Sequence, residues 1–63
     1  MSTVHERIEE IRKKKNIPKA VVAQHLGITP MGYHHISVGK NRLSVERMQI
    51  IAQLFEMDPK DLL

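Results

Sequence analysis

The chain has 63 residues, a formal net charge of +3 and no cysteine. A single domain this short buries only about 60% of its unfolded surface, and without Cys no disulfide or thiolate zinc site can staple it. No apolar run reaches the roughly 18 residues of a membrane span, and the opening MSTVHERIEE is charged where a secretory leader is apolar, so a cytoplasmic protein is expected.

In chain order the sequence predicts five short helices. Thr3 with Glu6 makes a capping box at the first helix start. Val4, Ile8 and Ile11 then recur on one helical face, Lys13, Lys14 and Lys15 suit the negative end of the helix dipole, and Asn16 can stop the helix. Pro18 fits a first helical turn, since the N–H it lacks has no partner there. Val22 and Leu26 pair four apart, and Gly27 supplies a left-handed closing residue, giving a second helix over about 18–26. Thr29-Pro30 repeats the start signal, a capping hydroxyl and then proline at the first position. Tyr33 and Ile36 share one face of this third helix, and Gly39 closes it. Lys40-Asn41-Arg42 is a polar loop. Ser44 caps a fourth helix whose apolar stripe is Val45, Met48, Ile51, Ala52 and Phe55. Asp58-Pro59 starts a last short turn into Leu62 and Leu63. No segment alternates as a half-buried strand does, so the fold class is all-α, one domain over 1–63.

Between the second and third helices lie only about three residues, with Gly27 opening a sharp reversal and Ile28 pinning it to the core. This is the spacing of a helix-turn-helix, whose second helix can enter a major groove. The charge distribution agrees. From Arg12 to Arg47 there are eight basic residues and one acidic residue, a net of +7, while the remainder carries −4. A basic middle between acidic ends attracts a polyanion through counterion release.

The segments IRKKKNIPKAVVAQHLGI, YHHISVGK and IIAQLFEMDPKDLL, with their apolar positions, Ala23 and the two glycines, resemble the phage repressor/Cro type of helix-turn-helix regulator, the Xre family. The resemblance runs from Ile8 to Leu63. It implies a compact five-helix lambda-repressor-like domain that binds double-stranded DNA, usually as a homodimer on a palindromic operator, in a bacterial or phage-encoded transcriptional regulator, most often a repressor. The base-reading positions of such a domain fall on Thr29, Pro30, Met31, Gly32, His34 and His35. Phosphate contacts fall on Arg12, Lys19, Lys40, Asn41 and Arg42. The chain departs from the family at two points. Pro18-Lys19 stands where Ser/Thr-Gln is common, so Lys19 meets a phosphate as a point charge. Ser37-Val38-Gly39 stands where Glu-Asn-Gly is common. The family's Glu often pairs with the arginine at the position of Arg12, so Arg12 is expected to be free for a phosphate or to bond the Ser37 hydroxyl.

The third helix is poor in hydrogen-bonding readers. Pro30 and Met31 offer only apolar contact, for instance to a thymine methyl. Gly32 lets the backbone approach, and His34 and His35 are the long polar groups. A neutral imidazole can accept or donate one bond, and a protonated one can also hold a phosphate. Direct readout is therefore expected to be weak, with more weight on phosphates and DNA shape. Ile50 and Leu54, away from the apolar stripe, are expected to form a dimer contact with Leu62 and Leu63. A fifth helix folding over that pair within one chain is the alternative.

Neighbouring His34 and His35 diverge by about 100° on a helix, no His-x-x-x-His pair exists and no cofactor or metal site is expected. Met48 and Met57 read as packing, Tyr33 as core, and His5 and His25 as surface. No nucleophile–base set or phosphate loop appears, so an enzyme is not expected. The competing reading is a protein-interaction module on the same fold, antirepressor-like or antitoxin-like. No small-molecule ligand or membrane contact is expected.

Overall fold

Each helix begins and ends where a local backbone device dictates. The computed structural model describes residues 3–62, which fold into α1 (Val4–Lys14), α2 (Lys19–Leu26), α3 (Pro30–Ser37), α4 (Val45–Leu54) and a 3-10 turn at Pro59–Leu62. Thr3 and Glu6 close the expected capping box on α1. The Thr29 hydroxyl accepts from Gly32 N at 3.0 Å, and that of Ser44 from Arg47 N at 3.1 Å. Such caps are each worth about 1 kcal/mol. Pro18 stands one residue before α2, at the cap position, with no side-chain cap bond.

All four α-helices close with the same motif. Asn16, Gly27, Gly39 and Glu56 adopt positive φ of 58°, 70°, 82° and 58°. At each, the following residue's N–H reaches back to close the last turn: Ile17 to Arg12 O, Ile28 to Ala23 O, Lys40 to His35 O and Met57 to Ala52 O, at 2.9–3.1 Å. This Schellman geometry satisfies carbonyls that a helix end leaves open. Glycine takes the left-handed conformation freely at Gly27 and Gly39. Asn16 tolerates it, whereas Glu56 carries the strain.

The expected fifth helix is a single 3-10 turn. Asp58 Oδ1 accepts from Lys60 N at 3.2 Å, and Asp61 N donates to Asp58 O at 2.9 Å, an i→i+3 closure. The element spans only the four residues Pro59–Leu62, a length at which 3-10 turns are common. The turn nonetheless completes the core, which joins Ile8, Val22, Tyr33, Ile51, Phe55 and Leu62. α2 packs on both α3 and α4, while α1 packs on α3 and the 3-10 turn. Two expectations are corrected here. Leu62 has 0% exposure and belongs to the core, because the 3-10 turn folds it under α4, so it offers nothing to a dimer. Val45 is 70% exposed and drops out of the α4 stripe, which runs through Met48, Ile51, Ala52 and Phe55. Val45 is the first residue of α4 and overhangs the core. Among the described residues no helix is long and apolar enough to cross a membrane.

Candidate nucleic-acid interface

The turn Gly27-Ile28-Thr29 sets α3 beside α2. Ile28 is half-buried against the core and anchors the turn. On α3 the helical period separates two faces. Tyr33 and Ile36 point inward at 0% and 2% exposure. Met31, His34, His35 and Val38 fall on the opposite side, with Met31 62% and Val38 50% exposed. A rod held by a tyrosine and an isoleucine thus presents a thioether, two imidazoles and a valine outward.

Cations gather at this face from two elements. Lys19, at the start of α2, places its Nζ 3.4 Å from His34 Nδ1, in reach to donate to a neutral ring. At the far end of α3, the Lys40 and Asn41 amides both donate to His35 O, at 2.9 and 3.3 Å. The loop carrying exposed Lys40, Asn41 and Arg42 is therefore tied to the helix end. His5 is half-buried rather than a free surface residue. Its ring lies against Gly39, where an added Cβ would meet His5 Cε1 at 2.9 Å.

Arg12 is not available to a phosphate. It is 9% exposed. Its Nε donates to Glu9 Oε2 at 2.6 Å, one terminal nitrogen donates to Glu9 Oε1 at 3.3 Å, and the other to Ile17 O at 2.7 Å. The carboxylate that residue 37 lacks comes instead from Glu9, one turn earlier on α1. Nor does Ser37 bond Arg12, since its Oγ donates to His34 O at 2.7 Å. Glu9 also accepts from the Tyr33 hydroxyl at 2.8 Å and lies 3.8 Å from Lys19 Nζ. Burial pushes the Glu9 carboxyl up, but the hydrogen bonds from Arg12 and Tyr33, with the charges of Arg12 and Lys19, outweigh it and hold the group below the ordinary glutamate value. Burial, with the bond to Glu9, pushes the Tyr33 hydroxyl up, so it stays a donor. This cluster fixes α3 against α1 and sets one end of Lys19.

Sequence reasoning missed Glu9 by counting it only as part of an acidic end. Its i,i+3 spacing to Arg12 was the available signal. It also missed Lys13, which lines a groove with Lys19, Ser37, Val38 and the carboxylates of Glu6, Glu9 and Glu10. The last turn of α3 therefore has acid on one side.

The remaining expected site residues separate as follows. Thr29, Pro30 and Met31 are exposed at the first turn of α3. Gly32 does not open the backbone to a ligand. A Cβ there would point at Thr29 Oγ1 (3.3 Å) and Ile28 Cβ (3.6 Å), inside the turn, and its N–H is held by Thr29. Ile50 and Leu54 are half-buried, Leu54 against the core. Leu63 lies outside the described residues. Among the described residues no three His, Asp or Glu side chains converge as a metal cluster, and His25 Nδ1 lies 2.9 Å from Val21 O of its own helix.

A family model described as helix-turn-helix matches residues 8–62, nearly the whole chain. No curated protein and no solved structure gives a significant match. With α2, the Gly27 turn and α3 arranged as above, the chain belongs to the helix-turn-helix family of the Xre/Cro/CI type, a family of DNA-binding regulators of transcription.

Proposed function

We propose that this chain binds double-stranded DNA with sequence preference, lays α3 in the major groove and represses transcription by occupying a palindromic operator. The observation that carries the reading is the outward face of α3 with Lys19 beside His34 and the exposed Lys40–Arg42 loop tied to the helix's C-terminal end. Phosphate contacts from Lys19, Lys40, Asn41 and Arg42 hold register, and base edges meet the first turn of α3. A bound domain of this size represses by standing in the way of another protein.

With Leu62 in the core, the expected dimer positions that remain among the described residues are Ile50 and the edge of Leu54, with Val45 70% exposed at the start of the same helix. A stable interface needs about 800 Å² from each partner, far more than these side chains offer. Two copies are therefore expected to pair weakly in free solution and to be brought together by adjacent half-sites on DNA. The exposure of Met31 and Val38 favours a second reading, a protein-docking module on the same fold. Selection from a random duplex pool separates the two. Enrichment of two inverted half-sites about 10 bp apart centre to centre supports the repressor reading. Recovery of an unenriched pool overturns it in favour of the protein partner.

A further inference from the structure

The first turn of α3 is chemically unusual for a surface that reads bases. Pro30 has no N–H to give. The Gly32 N–H is taken by Thr29 Oγ1 at 3.0 Å, which also occupies an acceptor site on that hydroxyl. Between them stands Met31, 62% exposed, with a thioether that is at most a weak acceptor. The imidazoles of His34 and His35 lie a turn further along, with Lys19 3.4 Å from His34. The N-terminal end of a recognition helix is the part that meets base edges, so what this helix brings to them first is apolar.

The major-groove edge of a base pair carries donors, acceptors and one apolar group, the C5-methyl of thymine. Methionine is unbranched and polarisable, and settles over an irregular apolar surface without demanding a fixed shape. We propose that Met31 reads a pyrimidine C5-methyl group, so that 5-methylcytosine serves in place of thymine at the position it faces and unmodified cytosine does not. Thymine and 5-methylcytosine carry the methyl at the same point of the groove and differ at the neighbouring C4 substituent, O4 against the N4 amino group. A thioether is indifferent to that difference, whereas a Gln, Asn or Arg reader is not. Binding of this chain then responds to cytosine methylation, gaining affinity when a cytosine that stands in place of the preferred thymine becomes methylated. Flanking cations supply the rest of the affinity, since Lys19, Lys40 and Arg42 contact a backbone that the methyl leaves unchanged.

The inference rests on the DNA-binding reading, and its test keeps the two apart. A duplex carrying the selected site is titrated with the full chain by fluorescence anisotropy at fixed salt. Each thymine is replaced in turn by deoxyuridine and, with guanine in place of the partner adenine, by cytosine and 5-methylcytosine. At one position in each half-site, deoxyuridine and cytosine should weaken binding about fourfold, the worth of one buried methyl, while 5-methylcytosine stays within about twofold of thymine. Met31→Ala should bring all four bases within about twofold of one another at that position. Because Met31 is exposed, its thermal melt should match that of the parent chain. Equal binding to thymine and deoxyuridine throughout the site overturns the proposal while leaving DNA binding intact. So does a loss on 5-methylcytosine alone, or a methyl preference that survives in Met31→Ala. Absence of binding to any duplex overturns both.

Discussion

Glu9→Gln should cost this domain a large part of its stability. The carboxylate is 14% exposed and accepts from Arg12 Nε at 2.6 Å and from the Tyr33 hydroxyl at 2.8 Å, with Lys19 Nζ 3.8 Å away. The amide keeps the shape but presents N–H donors to groups that are themselves donors, and it leaves a buried guanidinium without its counter-ion. Hydrogen bonds to charged groups contribute about 1.5–3 kcal/mol each, and the amide oxygen can replace only part of that, so a cost of about 2 kcal/mol is expected. Small domains are stable by as little as about 5 kcal/mol. The melting midpoint should fall by about 8–16 °C, at about 4–8 °C per kcal/mol for a chain of this length. Tyr33→Phe removes one of the bonds and should cost about 1 kcal/mol in the parent chain, and less in Glu9→Gln, because the two share one carboxylate. The pH dependence has a definite sign. Glu9 is held below its ordinary value of 4.5, so its contribution is complete above that value and is lost as pH falls through the depressed one. Circular-dichroism melts from pH 7 to pH 3 should show a steep acid limb in the parent chain and a shallower one in Glu9→Gln. A variant that melts within about 2 °C of the parent at pH 7, with a parallel acid limb, refutes the role given to this cluster.

Two further stability predictions follow from the geometry. Glu56→Gly should stabilise the chain by about 0.5–1 kcal/mol, since the strain of a left-handed non-glycine exceeds the extra entropy glycine loses on folding; chemical denaturation should show a higher midpoint at unchanged slope. Leu62→Ala should cost about 2–5 kcal/mol as a core truncation, whereas Ile50→Ala, on a half-exposed face, should cost under about 1 kcal/mol. The reverse order in a denaturant titration contradicts the placement of the 3-10 turn in the core.

The local half of this fold is readable from the sequence. Thr3, Thr29 and Ser44 cap helices through their own hydroxyls, and Asn16, Gly27 and Gly39 close them through their own backbone freedom, so each signal is complete within a few residues. Glu56 does the same work with no compositional sign of it, because glutamate has no preference for positive φ. Tertiary placement is where reading failed. Leu62 looked like a loose apolar end because nothing in PKDL says that the turn folds beneath α4. Arg12 looked free because its usual partner position holds Ser37, yet a carboxylate one helical turn away satisfied the same buried charge. Val45 matched the apolar spacing of α4 but lies at its end, beyond the core it was expected to join. For the interface, the outward set on α3 was legible from periodicity around Tyr33. The inward-facing space at Gly32 depends on how the turn packs.

The measurement that bears most directly on the nucleic-acid surface is the dependence of duplex affinity on salt concentration. Each phosphate neutralised adds about −0.9 to the slope of log affinity against log salt, so Lys19, Lys40 and Arg42 alone should supply close to −3 per bound domain. The triple alanine variant should lose that increment while remaining folded, its melting midpoint lowered only by loss of the half-exposed Lys19–Glu9 pair, worth under about 1 kcal/mol. A slope near zero in the parent chain, or an unchanged slope in the variant, contradicts the assignment of the α2–α3 face to DNA.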